Sequence, residues 1–206
     1  KRWHFYTDGT HKADATTDSW AMVATAEDGD GFAFYGSMAA RTTDATRDGT
    51  TTATSTTSEL AALIWTYAYI YALHCESTDR PTVIVHTDSL VAKGFADSTF
   101  IPKKPDHMTR LARILYDLAR SVTDMRTDHV YAHKGHPWNE LADSLAKRQA
   151  RREEGSPQHE WTAAFHADRQ RLWEWIHQIQ PHEARAYPKP DDQKMKASIP
   201  NEHAEP

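Results

Sequence analysis

The chain has 206 residues, 39% of them hydrophobic, with 7 Trp, 8 Tyr and 6 Phe, enough for one core plus an appendage or for two small domains. Its net charge of −5 excludes a global basic field, so contact with nucleic acid needs local basic residues or cations that neutralise acids. The lone Cys75 excludes an internal disulfide and fits a reducing, intracellular setting, cytoplasmic or nuclear; the longest apolar stretch, residues 60–75, is too short for a membrane span and reads as a buried helix.

Residues 2–8, Arg-Trp-His-Phe-Tyr-Thr-Asp, alternate as a strand that ends near Asp8. Residues 19–26 and 32–40 read as two further strands, joined by Asp28-Gly29-Asp30-Gly31, a turn signal, so the three make an antiparallel meander. The Thr-rich stretch 41–58 reads as a loop. Thr56-Thr57-Ser58-Glu59 then matches a capping box that opens a helix to about His74. Pro81 precedes a compact strand, 82–87, which delivers Asp88 at its C-terminal end, and a short helix is expected from Ser89 to about Ala96. Helical spacing of Leu111, Ile114, Leu115 and Leu118 predicts a helix over 107–121. A last strand, 128–132, leads into a His-Gly-His-Pro loop, and a helix follows that carries Asp143 towards Arg152. The order is that of an α/β domain with a five-stranded mixed sheet flanked by helices.

Beyond Gly155-Ser156-Pro157 the character changes. Trp161, Phe165, Leu172, Ile176 and Ile179 share one helical face, so an amphipathic helix is expected over 156–182, followed by a polar, flexible tail over 183–206. The segment 156–180 reads either as a helix packed on the domain or, because Trp173 and Trp175 point away from that face, as a docking helix for a neighbouring domain, such as a reverse transcriptase, or a second chain. That the chain opens on Lys1 rather than Met reads as a fragment or a domain of a longer polypeptide.

Four acids stand out: Asp8, Glu59, Asp88 and Asp143. Each has an ordinary reading: Asp8 as a turn residue, Glu59 as the third residue of the capping box, Asp88 as an N-cap, Asp143 as a solvated helix residue. Together they have another, because the ends of adjacent strands and the start of a helix would aim them at one point. Clustered carboxylates repel one another unless divalent cations resolve the conflict, and two hard cations can activate a water and stabilise the leaving oxygen of a phosphodiester.

Four motifs carry a resemblance. Tyr6-Thr7-Asp8-Gly9-Thr10, Ser58-Glu59-Leu60, His86-Thr87-Asp88-Ser89 and His133-Lys134-Gly135-His136-Pro137-Trp138-Asn139-Glu140-Leu141-Ala142-Asp143 together resemble type 1 ribonuclease H, in order, over roughly residues 2–150, within a catalytic domain expected over 1–155. The resemblance implies an RNase H-like fold and an endonuclease that cleaves the RNA strand of an RNA/DNA hybrid with two Mg²⁺ ions, Mn²⁺ being able to substitute. It maps the metal-binding acids onto Asp8, Glu59, Asp88 and Asp143, and the mobile proton-handling histidine onto His133; His136 reads as a turn residue beside Pro137. Thr54 and Ser55 resemble the place where the family holds a DNA-strand phosphate, while Ser89 and Asn139 fall where substrate or loop support is expected, Asn139 reading equally as a plain N-cap.

Three departures bear on the partner. The stretch from Asp88 to His133 is too short for the extra basic helix that some members use to grip the hybrid, with Lys93, Lys103 and Lys104 its only replacements. Leu90 stands where many members place a polar residue that reads the RNA minor groove. The Thr-rich insertion before Glu59 is long. A missing basic helix resembles ribonuclease H domains tethered to a reverse transcriptase, as in a retroelement. Two other readings stay open: a DNA-processing nuclease of the same superfamily, and a non-catalytic nucleic-acid-binding or scaffolding domain.

Overall fold

Alternation along the first strand decides the layering. In β1 (Arg2–Thr10) Phe5 faces one side of the sheet while His4 and Tyr6 face the other, and all three are buried. The computed structural model describes residues 2–11, 17–26, 30–39, 54–103, 106–150, 159–161 and 165–166. β1 pairs antiparallel with β2 (Thr17–Ala26), which pairs antiparallel with β3 (Asp30–Ala39), giving the expected meander. β4 (Thr82–Thr87) lies parallel to β1 on its other side, and β5 (Asp124–His129) lies parallel to β4. The order β5-β4-β1-β2-β3 is a mixed sheet.

Helix α1 (Ser55–His74) is the crossover between β3 and β4. It packs with α2 (Leu90–Asp97) and α3 (His107–Val122) on the face that Phe5 points to, over Trp20, Met22, Val83 and Val85. Helix α4 (Pro137–Ala150) covers the opposite face, where Leu141 and Leu145 meet Tyr6, Ala21 and Val23. No helix among the described residues is long and apolar enough to cross a membrane.

Three expectations shift. The first is the start of α1. Its N-cap is Thr54, whose hydroxyl accepts from the Thr57 N–H at 3.2 Å, while the Thr57 hydroxyl accepts from the Thr54 N–H at 2.8 Å. The capping box therefore belongs to two threonines two positions upstream of the expected one, because a Thr hydroxyl both donates and accepts. Glu59 is released from capping and lies in the second turn. The remainder of the expected loop, 41–53, lies outside the described residues.

The second is β5, which runs over Asp124–His129 rather than 128–132. Pairing with β4 starts at Thr82↔Asp124 and buries Met125 and Thr127, so register with a neighbour, not local hydrophobicity, sets its limits. The third is the C-terminal region. Where a helix is expected, β6 (His159–Trp161) and β7 (Phe165–His166) are extended and pair antiparallel with β3, adding two short strands to the five expected. An open sheet edge offers unpaired backbone groups to any nearby segment, a long-range demand that helical spacing of Trp161 and Phe165 cannot register. The rest of 156–182, with Trp173 and Trp175, and the tail 183–206 lie outside the described residues.

Candidate active site

β1 and β4 run parallel with Thr7 opposite Thr87, so Asp8 and Asp88, each the next residue, emerge side by side at the C-terminal ends of adjacent strands. α1 brings in the third acid. A side chain on Gly9 would collide with the backbone of Ser58 and Glu59, so the missing Cβ lets the end of β1 lie directly against α1. The Gly9 N–H then donates to the Glu59 carboxylate. Ligand oxygens of Asp8, Glu59 and Asp88 all lie within 4.8 Å of one another. Asp143 comes from the second turn of α4, close enough that its charge is felt by Asp8, Glu59 and Asp88 alike.

The electrostatics record the crowding. Burial, then the charges of Glu59, Asp143 and Asp88, hold the Asp8 carboxyl well above its ordinary pKa, with Lys147 opposing them. Glu59 is raised well above its ordinary value by burial first and by Asp88 next. Asp88 is raised by burial and by Asp143, against the pull of His133. A buried cluster of carboxylates left to itself binds protons, whereas a hard cation satisfies the same oxygens without that cost. The Oε2 of Glu59 is buried and makes no hydrogen bond. Hard oxygen donors, mutual repulsion and a buried unpaired oxygen together fit a divalent cation.

Asn139 sits inside α4, 2% exposed, and its amide donates to the Asp88 carboxylate. It is therefore no N-cap; it fixes the direction of Asp88. Lys147 forms an i,i+4 ion pair with Asp143 at 2.8 Å. His133 is 55% exposed, in the left-handed region at φ 53°, on the loop between β5 and α4. Its Nδ1 stands 4.0 Å from Glu140 Oε2. Gly135 follows at φ 77°, so the loop turns through two positive-φ residues and holds the His133 side chain at the rim of the cluster.

The structure also adds residues that sequence reading passed over. Glu140 is 1% exposed, and its ligand atoms group with those of His133 and Asp143. Burial and Asp143 push its carboxyl up, and His133 pulls it down. The available signal was its spacing: Glu140 and Asp143, three apart on one helix, share a face. His136, read as a turn residue, is instead buried, with its ring 4.8 Å from that of Tyr6.

The candidate substrate contacts are less gathered. The Thr54 hydroxyl is engaged in capping α1, and Ser55 is exposed in the first turn. Ser89 is the N-cap of α2, its hydroxyl accepting from the Ala92 N–H at 3.2 Å, which leaves Asp88 free of the N-cap role. Leu90 is 54% exposed beside Asp88. Lys93 pairs with Asp97 at 2.6 Å; Lys103 is exposed, and Lys104 lies outside the described residues. Among the described residues no helix stands between α2 and α3, where a basic grip would be inserted.

An α/β fold with acids converging at the ends of adjacent parallel strands defines a class of candidate metal-dependent enzyme. The RNase H family model matches residues 1–151, and the chain belongs to the RNase H family, whose activity is that of a ribonuclease H hydrolase. Among solved structures it is similar to RNase H1 from the halophilic archaeon Halobacterium salinarum NRC-1, with 19% identity and a TM-score of 0.55, over 72% of this chain and 97% of that one. LC11-RNase H1, isolated from compost by a metagenomic approach and solved with an RNA/DNA hybrid, matches with 17% identity and a TM-score of 0.55, over 72% and 96% of the two chains. The protease–reverse transcriptase of prototype foamy virus matches with 17% identity and a TM-score of 0.51, over 74% of this chain and 21% of that one. Among curated proteins no relative matches.

Proposed function

We propose that the chain hydrolyses the RNA strand of RNA/DNA hybrids, with Asp8, Glu59, Asp88 and Asp143 holding two divalent cations, Mg²⁺ with Mn²⁺ able to replace it. The observation that carries this reading is the meeting of the Asp8, Glu59 and Asp88 carboxylates, from three separate elements, within 4.8 Å. Membership of the RNase H family and the likeness to a fold solved with such a hybrid support the substrate class.

When bound, the cations would supply an activated water and charge stabilisation for the leaving oxygen. The chain's own residues prepare that chemistry. Gly9 N–H and the Asn139 amide hold the Glu59 and Asp88 carboxylates in fixed directions. Lys147 anchors Asp143. His133, exposed and beside Glu140, would take or return a proton at the rim and assist product release. Thr54, Ser55 and Ser89 lie at the N-termini of α1 and α2, where hydroxyls and backbone N–H groups suit phosphates of the bound strands.

A reverse-transcriptase setting is supported by the likeness to the foamy-virus protease–reverse transcriptase and by the lack of a helix between α2 and α3 among the described residues. In such a setting a neighbouring domain would supply the grip on the hybrid. The test is a labelled RNA/DNA hybrid incubated with the protein in Mg²⁺ or Mn²⁺ beside Asp8→Asn and Asp88→Asn. RNA-strand cleavage by wild type alone is expected. No cleavage by wild type, or cleavage that survives in the variants, overturns the reading. Equal cutting of duplex DNA would turn it into that of a DNA-processing nuclease.

A further inference from the structure

A cavity of about 340 Å³ opens on the β5 side of the His133 loop, separate from the four acids. Its walls include four rings, those of His86, His129, Tyr131 and His136, together with Lys134 and Asp128. Three features suit it to a ligand. Its size falls within the range of small-molecule sites and far exceeds that of a bare phosphate. His86 is 1% exposed, and its Nδ1 makes no hydrogen bond, while its Nε2 is 3.0 Å from His4 Nδ1. A buried polar atom without a partner is costly, and a ligand polar group would relieve that cost. Tyr131 is 72% exposed, its ring held edge-on by His129 at 5.2 Å.

The wall chemistry narrows the ligand. Exposed rings invite a planar aromatic group, and the Lys134 ammonium invites an anion. The Asp128 carboxylate is offset by Arg126 at 3.0 Å, so Lys134 sets the sign of the mouth. We propose that this cavity binds a nucleoside monophosphate unit, with its base against Tyr131 and His129 and its phosphate at Lys134. The choice of a nucleotide among aromatic anions rests on the nuclease reading. The cavity touches the candidate active site from two sides. His129 Nε2 donates to the Asp88 carbonyl at 3.1 Å, and Lys134 directly follows His133. A ligand that spans both would hold the His133 loop against the end of β4.

The experiment is calorimetric titration of the full chain in EDTA with AMP, adenosine and inorganic phosphate, repeated on Tyr131→Ala and Lys134→Ala. The chelator removes any cation that could bridge a phosphate to the acids. Both substituted side chains are exposed, so circular dichroism and the thermal midpoint should be unchanged. AMP should bind wild type, with adenosine, phosphate and AMP on either variant each about tenfold weaker. No AMP binding to wild type overturns the proposal, as does equal binding by both variants. Phosphate binding as tightly as AMP also overturns it, leaving a simple anion site. A 5′-phosphorylated RNA dinucleotide separates the sources: tighter binding than AMP assigns the cavity to a strand end, equal binding to the free nucleotide, and both support it. Hybrid cleavage is scored separately. Cleavage without AMP binding sinks this proposal alone, and AMP binding without cleavage sinks only the nuclease reading.

Discussion

The two faces of the sheet are built on different principles. Under α1, α2 and α3 the core is almost wholly apolar, from Phe5 through Leu63 and Ile70 to Met125. Under α4 a smaller apolar cluster adjoins His4, His86 and His136, all buried, with the rings of Tyr6 and His86 stacked at 4.4 Å. The first face makes a rigid scaffold that delivers Glu59. The second supplies Asn139, Glu140 and Asp143 from one helix and suspends the His133 loop above polar rings. Apolar packing is concentrated on the three-helix face, and buried titratable groups on the face that one helix covers.

The largest expected effect tests the site where the two faces meet. Asp88→Asn should lower hybrid cleavage more than about 100-fold, beyond what altered support of a metal ligand costs. Next, the scaffold itself can be probed. Leu63 and Leu145 are both fully buried, one on each face. Leu63→Ala should cost about 4 kcal/mol and Leu145→Ala about 2 kcal/mol in urea unfolding, because α4 alone can shift to fill a void while three interlocked helices cannot. Equal costs would break the comparison. Asn139→Ala should reduce cleavage by about 10-fold with a smaller loss of stability than Leu145→Ala, since it frees Asp88 and removes less buried volume.

The pH response should also separate the acid cluster from the buried histidines. Asp8, Glu59 and Asp88 have folded pKa values raised above their unfolded ones. The folded state then binds more protons than the unfolded state, so metal-free stability falls as pH rises through the window that begins near about pH 4. His86 is held well below its ordinary value, by burial and then by His4 and His136. Its contribution has the opposite slope: stability is lost as pH falls below about 6.5. Thermal midpoints in EDTA should show the first slope in wild type and a shallower one in Asp8→Asn, and added Mg²⁺ should raise the midpoint at pH 8. A wild-type profile unmoved by Asp8→Asn would refute the coupled acid cluster. The smallest effect lies far from the site. Arg80 donates to the carbonyls of Ser121, Arg120 and Thr123 at 2.8, 3.1 and 3.1 Å, closing the C-terminus of α3. Arg80→Ala should cost about 1 kcal/mol and leave cleavage unchanged.

Much of this was legible locally. The alternation in 2–8, the apolar strand before Asp88 and the turn signal in the sequence 28–31 anticipate β1, β4 and the meander, because period and turn chemistry act over a few residues. The four acids were identifiable because each stands at a recognisable strand end or in a helix. Other features depended on partners distant in sequence. Glu59 has the spacing of a capping residue, but Thr54 and Thr57 close the helix by themselves. β5 took its limits from β4. The strands at His159–Trp161 and Phe165–His166 answer to the open edge of β3, which no helical count contains.

The sequence by itself determined the order of elements from β1 to α4, the identity of the acids and the loop that carries His133, since these follow from spacing along the chain. Only the tertiary structure decided that Asn139 serves Asp88, that Glu140 joins the acids, that His4 stacks on His86, and that His136 packs on Tyr6. The physical reason is burial. Whether a polar group is a cap, a ligand support or a solvated side chain depends on what removes it from water, and that is settled only when β1, β4 and α4 meet.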